Sequence, residues 1–162
     1  MEKEGWVREN LYFSCRKRAA EKYRDDRLNS RTMAAELLGI SESSLAHYEL
    51  GITPVPQDIV VMMAEIYHAP ELLNTYCKRE CPIGRFLPIA EKSDGLQAAT
   101  LNTLCELDDE KLTKIKRRLT DISKDGRVSK DEEKDFRAIM DALDAVTRAI
   151  SELRLYREGD RK

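Results

Sequence analysis

Residues 30–51 read SRTMAAELLGISESSLAHYELG, and the order of polar, small and apolar side chains in this stretch decides the fold around it. Ser30 and Ser41 stand where helix N-caps are favoured, because a serine hydroxyl accepts a hydrogen bond from a backbone N–H two or three residues further on. Gly39 and Gly51 each follow a helical segment, at the place where a left-handed residue ends a helix. The stretch therefore predicts two short helices joined by a tight turn.

Further short helices are predicted on both sides of this pair. Leu11, Cys15, Ala19 and Tyr23 recur on one helical face, which predicts a first helix that buries this face. Prolines at positions 54 and 56 precede another apolar helix, and a proline at position 70 suits the first turn of the next one. Residues 8–80 are thus predicted to form one domain of five helices.

A linker is predicted over residues 81–94, where Pro82, Gly84 and Pro88 interrupt any regular period. Residues 95–157 then predict longer amphipathic helices. The leucines at positions 101, 104 and 107 indicate the apolar face of a short helix, and Asp108 caps a second helix. The chain is therefore predicted to contain a second, C-terminal helical region.

The last helix has the clearest pattern. Ser129 and Glu132 form a capping box at its start. Apolar residues then follow at alternating spacings of three and four, as in a heptad seam: Phe136, Ile139, Leu143, Val146, Ile150 and Leu153. The preceding helix covers only part of this stripe as an antiparallel hairpin, so we expect homodimerisation through the C-terminal helices. Contact with the N-terminal domain is the alternative.

Composition supports an all-α fold but not an obvious function. Charged residues make up 36% of the 162 residues and hydrophobic residues 41%, which is typical of helical globular proteins and argues against disorder. Seven glycines and five prolines provide few turns for an all-β fold. The formal net charge is -2 and the pI is about 5.8, whereas many nucleic-acid-binding proteins are strongly basic.

Residues 30–51 resemble the helix-turn-helix of the Cro/repressor-type (Xre) family of bacterial and phage transcription regulators. These residues fall in register with the family pattern: Ser30, Ala35, Leu38, Gly39, Ile40, Ser41, Ser43, Ser44, Leu45, Glu49 and Gly51. The resemblance extends over about residues 11–73. It implies a five-helix Cro/repressor-like domain that binds double-stranded DNA as a dimer on an operator, with its second motif helix in the major groove. The residues expected to contact DNA there are Arg31, Thr32, Glu42, Ser43, Ser44 and His47.

Charge is distributed unusually for this family. Residues 32–77 contain no lysine or arginine and six acidic residues. Residues 15–31 contain seven cations and three acids. The first helix and the start of the second can flank the DNA backbone in this fold, so this segment is expected to contact phosphates. The expected phosphate-contacting residues are Arg16, Lys17, Lys22 and Arg27.

Residues 121–132, DISKDGRVSKDE, also fit the spacing of a calcium-binding loop. The candidate ligands are Asp121, Ser123, Asp125, Ser129 and Glu132. Each of these residues has a local role in a helix–turn–helix connection, and three nearby cations reduce the negative charge. The hairpin turn is therefore the preferred interpretation, and no metal site or cofactor is predicted.

Nothing in the sequence indicates an enzyme. There is no glycine-rich phosphate loop, and neither histidine stands in a recognisable arrangement with a nucleophile. The four cysteines are expected to be reduced, because no export signal or membrane span is apparent and a cytoplasmic location is predicted. Cys77 and Cys81 lack the spacing of common zinc sites and are expected to be free thiols.

Two other functions remain as alternatives to DNA binding. The first is a protein-interaction adaptor, such as an antitoxin-like scaffold, in which the helix-turn-helix is degenerate. The second is a Ca²⁺-responsive helix-loop-helix at residues 121–132. The shortage of cations in residues 32–77 favours the adaptor, whereas the match to the family pattern favours the regulator.

Overall fold

The structure is a computed structural model that describes residues 10–159. Within these residues the chain forms α-helices and short 3₁₀ turns and contains no strand. The helices are α1 Leu11–Tyr23, α2 Asp26–Asn29, α3 Arg31–Leu37, α4 Glu42–Glu49, α5 Gln57–Ile66, α6 Glu71–Arg79, α7 Leu96–Glu106, α8 Asp109–Ile122 and α9 Glu133–Gly159. The all-α fold is confirmed, with α2 as a short helix in addition to the five predicted in the first half.

Two compact units divide the chain between Gly84 and Arg85. This division lies inside the predicted linker at residues 81–94. In the second half of that linker, Ala90 N donates to Ser151 Oγ at 3.2 Å and so ties the segment to α9. Residues 8 and 9, the first two of the predicted domain, lie outside the described residues.

Side-chain caps fix the helix starts of the first unit as the sequence predicts. Ser30 Oγ accepts from Met33 N at 3.4 Å at the start of α3, and Ser41 Oγ accepts from Ser44 N at 3.0 Å at the start of α4. Asn10 caps α1 in the same way and also donates to the carbonyl of Tyr48 at 2.7 Å. These local bonds place α1, α3 and α4 around one hydrophobic core.

The buried face of α1 differs from the predicted one. Tyr12, Arg16 and Ala20 are buried with Cys15 and Ala19, whereas Leu11 is half-buried and Tyr23 is exposed. The face is rotated by about one residue because Arg16 has an acidic partner inside the domain, described below.

In the second unit α7 and α8 both pack against α9. The predicted apolar face of α7 is wrong: Leu101 is 64% exposed and Leu104 is 62% exposed, while Ala99 and Thr103 are buried. Small residues let the α7 backbone approach its neighbour closely, and this geometry turns the leucines outward.

The capping box predicted before α9 is present, although α9 itself begins at Glu133, later than predicted. Ser129 N donates to Glu132 Oε2 at 3.0 Å and Glu132 N donates to Ser129 Oγ at 3.4 Å, which are the two reciprocal bonds of a capping box. The helix is 27 residues long, about 40 Å. Its seam is unevenly covered, because Ile139 is buried and Ile150 is 39% exposed. Within residues 10–159 no helix is long and apolar enough to cross a membrane.

Candidate nucleic-acid interface

Helices α3 and α4 form a tight pair through small and apolar side chains. Ala34 and Ala35 of α3 are buried, and Leu45 of α4 is fully buried beside them. The connection turns at Gly39, whose φ of 64° lies in the left-handed region that favours glycine. The sequence therefore folds here into two short helices at a fixed angle, with the N-terminal end of α4 left exposed.

Three of the predicted base-contacting residues, Thr32, Glu42 and Ser43, lie at that exposed end, whereas His47 lies in the last turn of α4. Thr32 Oγ1 donates to Glu42 Oε2 at 2.8 Å, which joins the first turns of α3 and α4. Ser43 and His47 are exposed on α4 and have no hydrogen bond or ion pair from their side chains within residues 10–159. Ser44 is half-buried, and its Oγ lies 2.8 Å from Ser41 Oγ. The polar surface thus consists of Thr32, Glu42, Ser43 and His47, with Ser44 partly occupied by the cap.

A buried ion pair anchors the other end of α4. Arg16 Nε donates to Glu49 Oε1 at 2.5 Å and Arg16 Nη2 donates to Glu49 Oε2 at 3.0 Å, and both side chains are only 2% exposed. Arg16 Nη1 also donates to the carbonyl of Leu28 at 2.6 Å. The fork-shaped guanidinium satisfies both carboxylate oxygens and links α1, α2 and α4.

This pair corrects one predicted contact and changes another. Arg16 was predicted to contact phosphate, but burial and the bond to Glu49 remove it from the surface. Arg31 Nε donates to Glu49 Oε2 at 3.0 Å with its side chain 36% exposed. Arg31 therefore lies at the edge of the interface and shares its charge with a buried acid.

The other residues predicted to contact phosphates lie at the surface and differ in the interactions that their side chains make. Lys17 Nζ donates to the carbonyl of Asn29 at 2.9 Å, and Lys22 Nζ lies 5.2 Å from the ring centroid of Tyr23. Arg27 pairs with Asp25 at 2.7 Å. The Arg27 hydrogen bond holds the pKa of the Asp25 carboxyl below its usual range.

Fewer cations are available than the sequence count of residues 15–31 indicates. Four of the seven have acidic partners: Arg16 and Arg31 with Glu49, Arg27 with Asp25, and Arg18 with Glu71. Within the part of the chain that the structure describes, the cations of this segment without an acidic partner are Lys17, Lys22 and Arg24. The phosphate-contacting capacity of the first unit is therefore modest.

Sequence reasoning missed the role of Glu49, although a signal was present. Glu49 follows Leu45 by four residues, so both lie on the buried face of α4. A carboxylate on a buried face requires a cationic partner. Arg16, four residues after Tyr12 and three before Ala19, stands on the buried face of α1 and meets that requirement.

A buried thiol and phenol lie close to this ion pair. Burial raises the pKa of the Cys15 thiol to about 12, because the thiolate is disfavoured away from water and beside Glu71. Burial also raises the pKa of Tyr67, whose hydroxyl has no hydrogen-bond partner within residues 10–159. One side of the interior of the first unit is therefore polar and contains the buried ion pair of Arg16 and Glu49.

The candidate calcium ligands are each used locally. Asp121 pairs with Lys124 at 2.7 Å, which keeps the pKa of its carboxyl below the usual range. Asp125 Oδ1 accepts from Arg127 N at 3.1 Å, and Glu132 caps α9. Ser123 Oγ donates to the carbonyl of Thr120. Over residues 10–159 no three His, Cys, Asp or Glu side chains form a group that could hold a metal ion.

The C-terminal cysteines of the first unit are free thiols, as are Cys15 and Cys105. Cys77 lies in α6, and its backbone is the tightest neighbour of Gly84. A Cβ added to Gly84 would stand 1.6 Å from the Cys77 carbonyl oxygen. Only glycine fits at this position, so the junction after α6 closes against the helix backbone.

Comparison with known proteins agrees with this geometry. The family model described as Helix-turn-helix matches residues 21–71, about a third of the chain. These residues therefore form a helix-turn-helix domain, the type found in DNA-binding transcription regulators. More particularly, these residues are similar to helix-turn-helix domains of the Cro/repressor (Xre-like) kind. No curated protein and no solved structure matches the chain.

Proposed function

We propose that this protein is a bacterial or phage transcription regulator that acts in the cytoplasm and binds an operator as a homodimer. The observation that carries the proposal is the exposed N-terminal end of α4, where Glu42 accepts from Thr32 and Ser43 is also exposed, with His47 one turn further along the helix. In helix-turn-helix domains this end of the second helix enters the major groove and meets base edges.

The chemistry of that end favours readout of particular bases over general attraction to DNA. Glu42 carries an acceptor carboxylate, which suits the exocyclic amino group of cytosine, and its bond to Thr32 fixes its orientation. Ser43 and His47 add a hydroxyl and an imidazole that can donate or accept. The phosphate contacts then fall to Lys17 and Lys22, with Arg27 available if it exchanges Asp25 for a phosphate.

The dimer is supported by apolar side chains that the second unit leaves exposed. Leu101 and Leu104 lie one turn apart on α7, and Met140 and Ile150 of α9 are also exposed. Apolar side chains grouped in this way on helices are typical of contact surfaces. A homodimer would present two copies of α4 to the two halves of a palindromic site.

Selection of duplexes from a genomic fragment library by the full chain tests base readout. We expect enrichment of a common short sequence, and Glu42→Gln is expected to change the preferred base at one position of each half-site. Glu65→Gln is the matched control, because Glu65 is an exposed acid on α5, outside the two helices of the motif. Recovery of fragments with no shared sequence would contradict base-specific recognition.

Sedimentation equilibrium tests the dimer. Leu104→Lys is expected to shift the protein towards monomer, because it places a charge in an apolar contact. Thr113→Lys, at an exposed position of α8, is the control that adds the same charge on another helix. A parent protein that remains monomeric at concentrations well above those used for DNA binding would refute the dimer.

An adaptor function is the second candidate, and a separate observation favours it. Leu50 is 67% exposed and Ile52 is 62% exposed directly after α4, and Met33 of α3 is 45% exposed. These side chains lie in the stretch of residues 32–77 that has no cation. Loss of duplex binding in the double variant Lys17→Gln, Lys22→Gln favours the regulator. A parent protein that binds a protein partner but no duplex favours the adaptor.

A further inference from the structure

A second, more basic surface lies in the C-terminal unit. Residues 111–130 contain eight cations and two acids, a larger excess than the seven cations and three acids of residues 15–31. The cations are Lys111, Lys114, Lys116, Arg117, Arg118, Lys124, Arg127 and Lys130. All eight are exposed, on helix α8 and on the turn between α8 and α9.

Four of these cations have acidic partners within the chain. Lys114 pairs with Glu110, Lys124 with Asp121, Arg118 with Asp135 and Lys111 with Glu106. The other four have no acidic partner within 4 Å among residues 10–159. We call this set of four, Lys116, Arg117, Arg127 and Lys130, the α8 basic surface.

The fold keeps this surface in solvent. Leu112 and Ile115 of α8 are half-buried and Ile122 is buried, at spacings that place all three on one side of the helix against α9. Arg117 lies on the opposite side of the helix by the same periodicity. The charges of the α8 basic surface are therefore not required for the hairpin to form.

Exposed cations with no acidic group within 4 Å are suited to binding a polyanion. A duplex carries one negative charge per about 1.7 Å of its axis, and lysine and arginine bind its phosphates without regard to sequence. A second copy of this chain is the other source of negative charge, through the acidic first half of α9. Two of those four acids are already paired, Glu133 with Arg137 and Asp135 with Arg118, whereas a duplex presents an unbroken row of phosphates.

We infer that the α8 basic surface is a second DNA-backbone contact, which binds phosphates of the duplex held by the helix-turn-helix domain. The inference rests on the proposed function. Because both units belong to one chain, engagement of the first raises the effective concentration of phosphates around the second. This contact adds affinity without sequence preference and offsets the small number of free cations in the first unit.

The test compares two full-length variants with equal loss of charge. One carries Lys116→Gln, Arg117→Gln, Arg127→Gln and Lys130→Gln. The control carries Lys92→Gln, Lys114→Gln, Lys124→Gln and Arg137→Gln, which removes four exposed cations that already have acidic partners. Circular dichroism verifies that both variants are helical, and fluorescence anisotropy on a mixed-sequence duplex of about 40 base pairs measures affinity at several salt concentrations.

Each lost phosphate contact is expected to reduce the salt slope, log affinity against log salt, by about 0.9, or about 3.6 for four contacts. Across a fourfold rise in salt, the parent would then lose about 150-fold more affinity than the first variant. The control is expected to keep nearly the parent slope. Equal slopes and affinities for the first variant and the parent would overturn the inference while leaving the proposed function intact.

Two further outcomes separate the causes of failure. A parent that binds no duplex at any salt concentration overturns the proposed function, and this inference with it. A first variant that keeps the parent slope but loses self-association in sedimentation equilibrium shows that the surface binds a second copy instead of DNA.

Discussion

The charge pair between Arg16 and Glu49 is expected to hold the first unit together, and Glu49→Gln tests this directly. The carboxylate accepts three hydrogen bonds, two from Arg16 and one from Arg31. In the variant an amide NH₂ replaces one oxygen and faces guanidinium donors. Arg16 then keeps its charge at 1% exposure, and its acceptors are all neutral: the remaining amide oxygen and the carbonyls of Leu28 and Asn29.

The cost follows from the burial of both partners. Removal of one member of a buried ion pair typically costs about 3–5 kcal/mol, because an uncompensated charge stays inside. These remaining neutral acceptors place the expected loss near the lower end, about 3 kcal/mol. That value is a large part of the stability of a small domain, which is about 5–15 kcal/mol. Arg31→Gln is expected to cost much less, about 1 kcal/mol or below, because its pair is partly solvated.

Native-state amide hydrogen exchange measures the effect in one unit at a time. A loss of about 3 kcal/mol accelerates exchange of the most protected amides by about 100-fold or more. We expect this acceleration at buried positions of α1 and α4, such as Ala20 and Leu45. Amides of α9 around Ala149 serve as an internal reference, since they belong to the second unit.

Two further variants test whether the Arg16–Glu49 pair stabilises the first unit. Glu36→Gln removes an equal charge from the exposed side of α3 and is expected to leave exchange unchanged. Arg16→Met combined with Glu49→Leu replaces the pair by apolar groups and is expected to be more stable than Glu49→Gln alone. If Glu49→Gln changes exchange in α1 and α4 by less than about threefold, the ion pair does not stabilise the domain in the way we derive.

Three shorter predictions address the junction, the caps and the thiols. Gly84→Ala is expected to destabilise the first unit by about 1–3 kcal/mol, because the added Cβ would overlap the Cys77 carbonyl. The comparison variant is Gly95→Ala, whose added Cβ meets no atom within 4 Å although Gly95 has a positive φ. Thermal unfolding measures the stability of both variants. Arg27→Gln is expected to return the pKa of Asp25 towards its ordinary value, as followed by NMR titration; since the folded-state pKa is lowered, any stabilisation by this pair is present above the ordinary pKa and is lost as the pH falls through the folded-state value. In the native protein at neutral pH, Cys105 is expected to react with a thiol reagent long before Cys15, which is buried and has its pKa raised to about 12; labelling rates by mass spectrometry check the order, and equal rates would contradict the burial of Cys15.

Local chemistry made the helix boundaries predictable. Ser30, Ser41, Asp108 and Ser129 were each predicted as caps, and each accepts the expected backbone hydrogen bond in the structure. These interactions join residues three positions apart, so the sequence alone contains all of their components.

Side-chain directions that depend on distant partners could not be read in the same way. Arg16 was predicted to lie at the surface. Its partner, Glu49, stands 33 positions later in another helix, so the local sequence does not reveal the pairing. The leucines of α7 were predicted to form its apolar face, because the spacing of apolar residues favours Leu101 and Leu104 over Ala99 and Thr103. In the structure the two leucines are exposed, and Ala99 and Thr103 are buried. A close helix–helix approach favours small side chains, and the periodicity contains no information about that distance.

The same pairing of charges alters what the basic stretch before α3 can contribute to DNA affinity. A count of seven cations in residues 15–31 suggests a steep salt dependence, but only Lys17, Lys22 and Arg24 lack an acidic partner among the described residues. Three phosphate contacts give a slope of about −2.7, whereas three contacts plus the four of the α8 basic surface give about −6. The salt slope of the full chain therefore distinguishes a regulator that binds through its first unit alone from one that also uses its second.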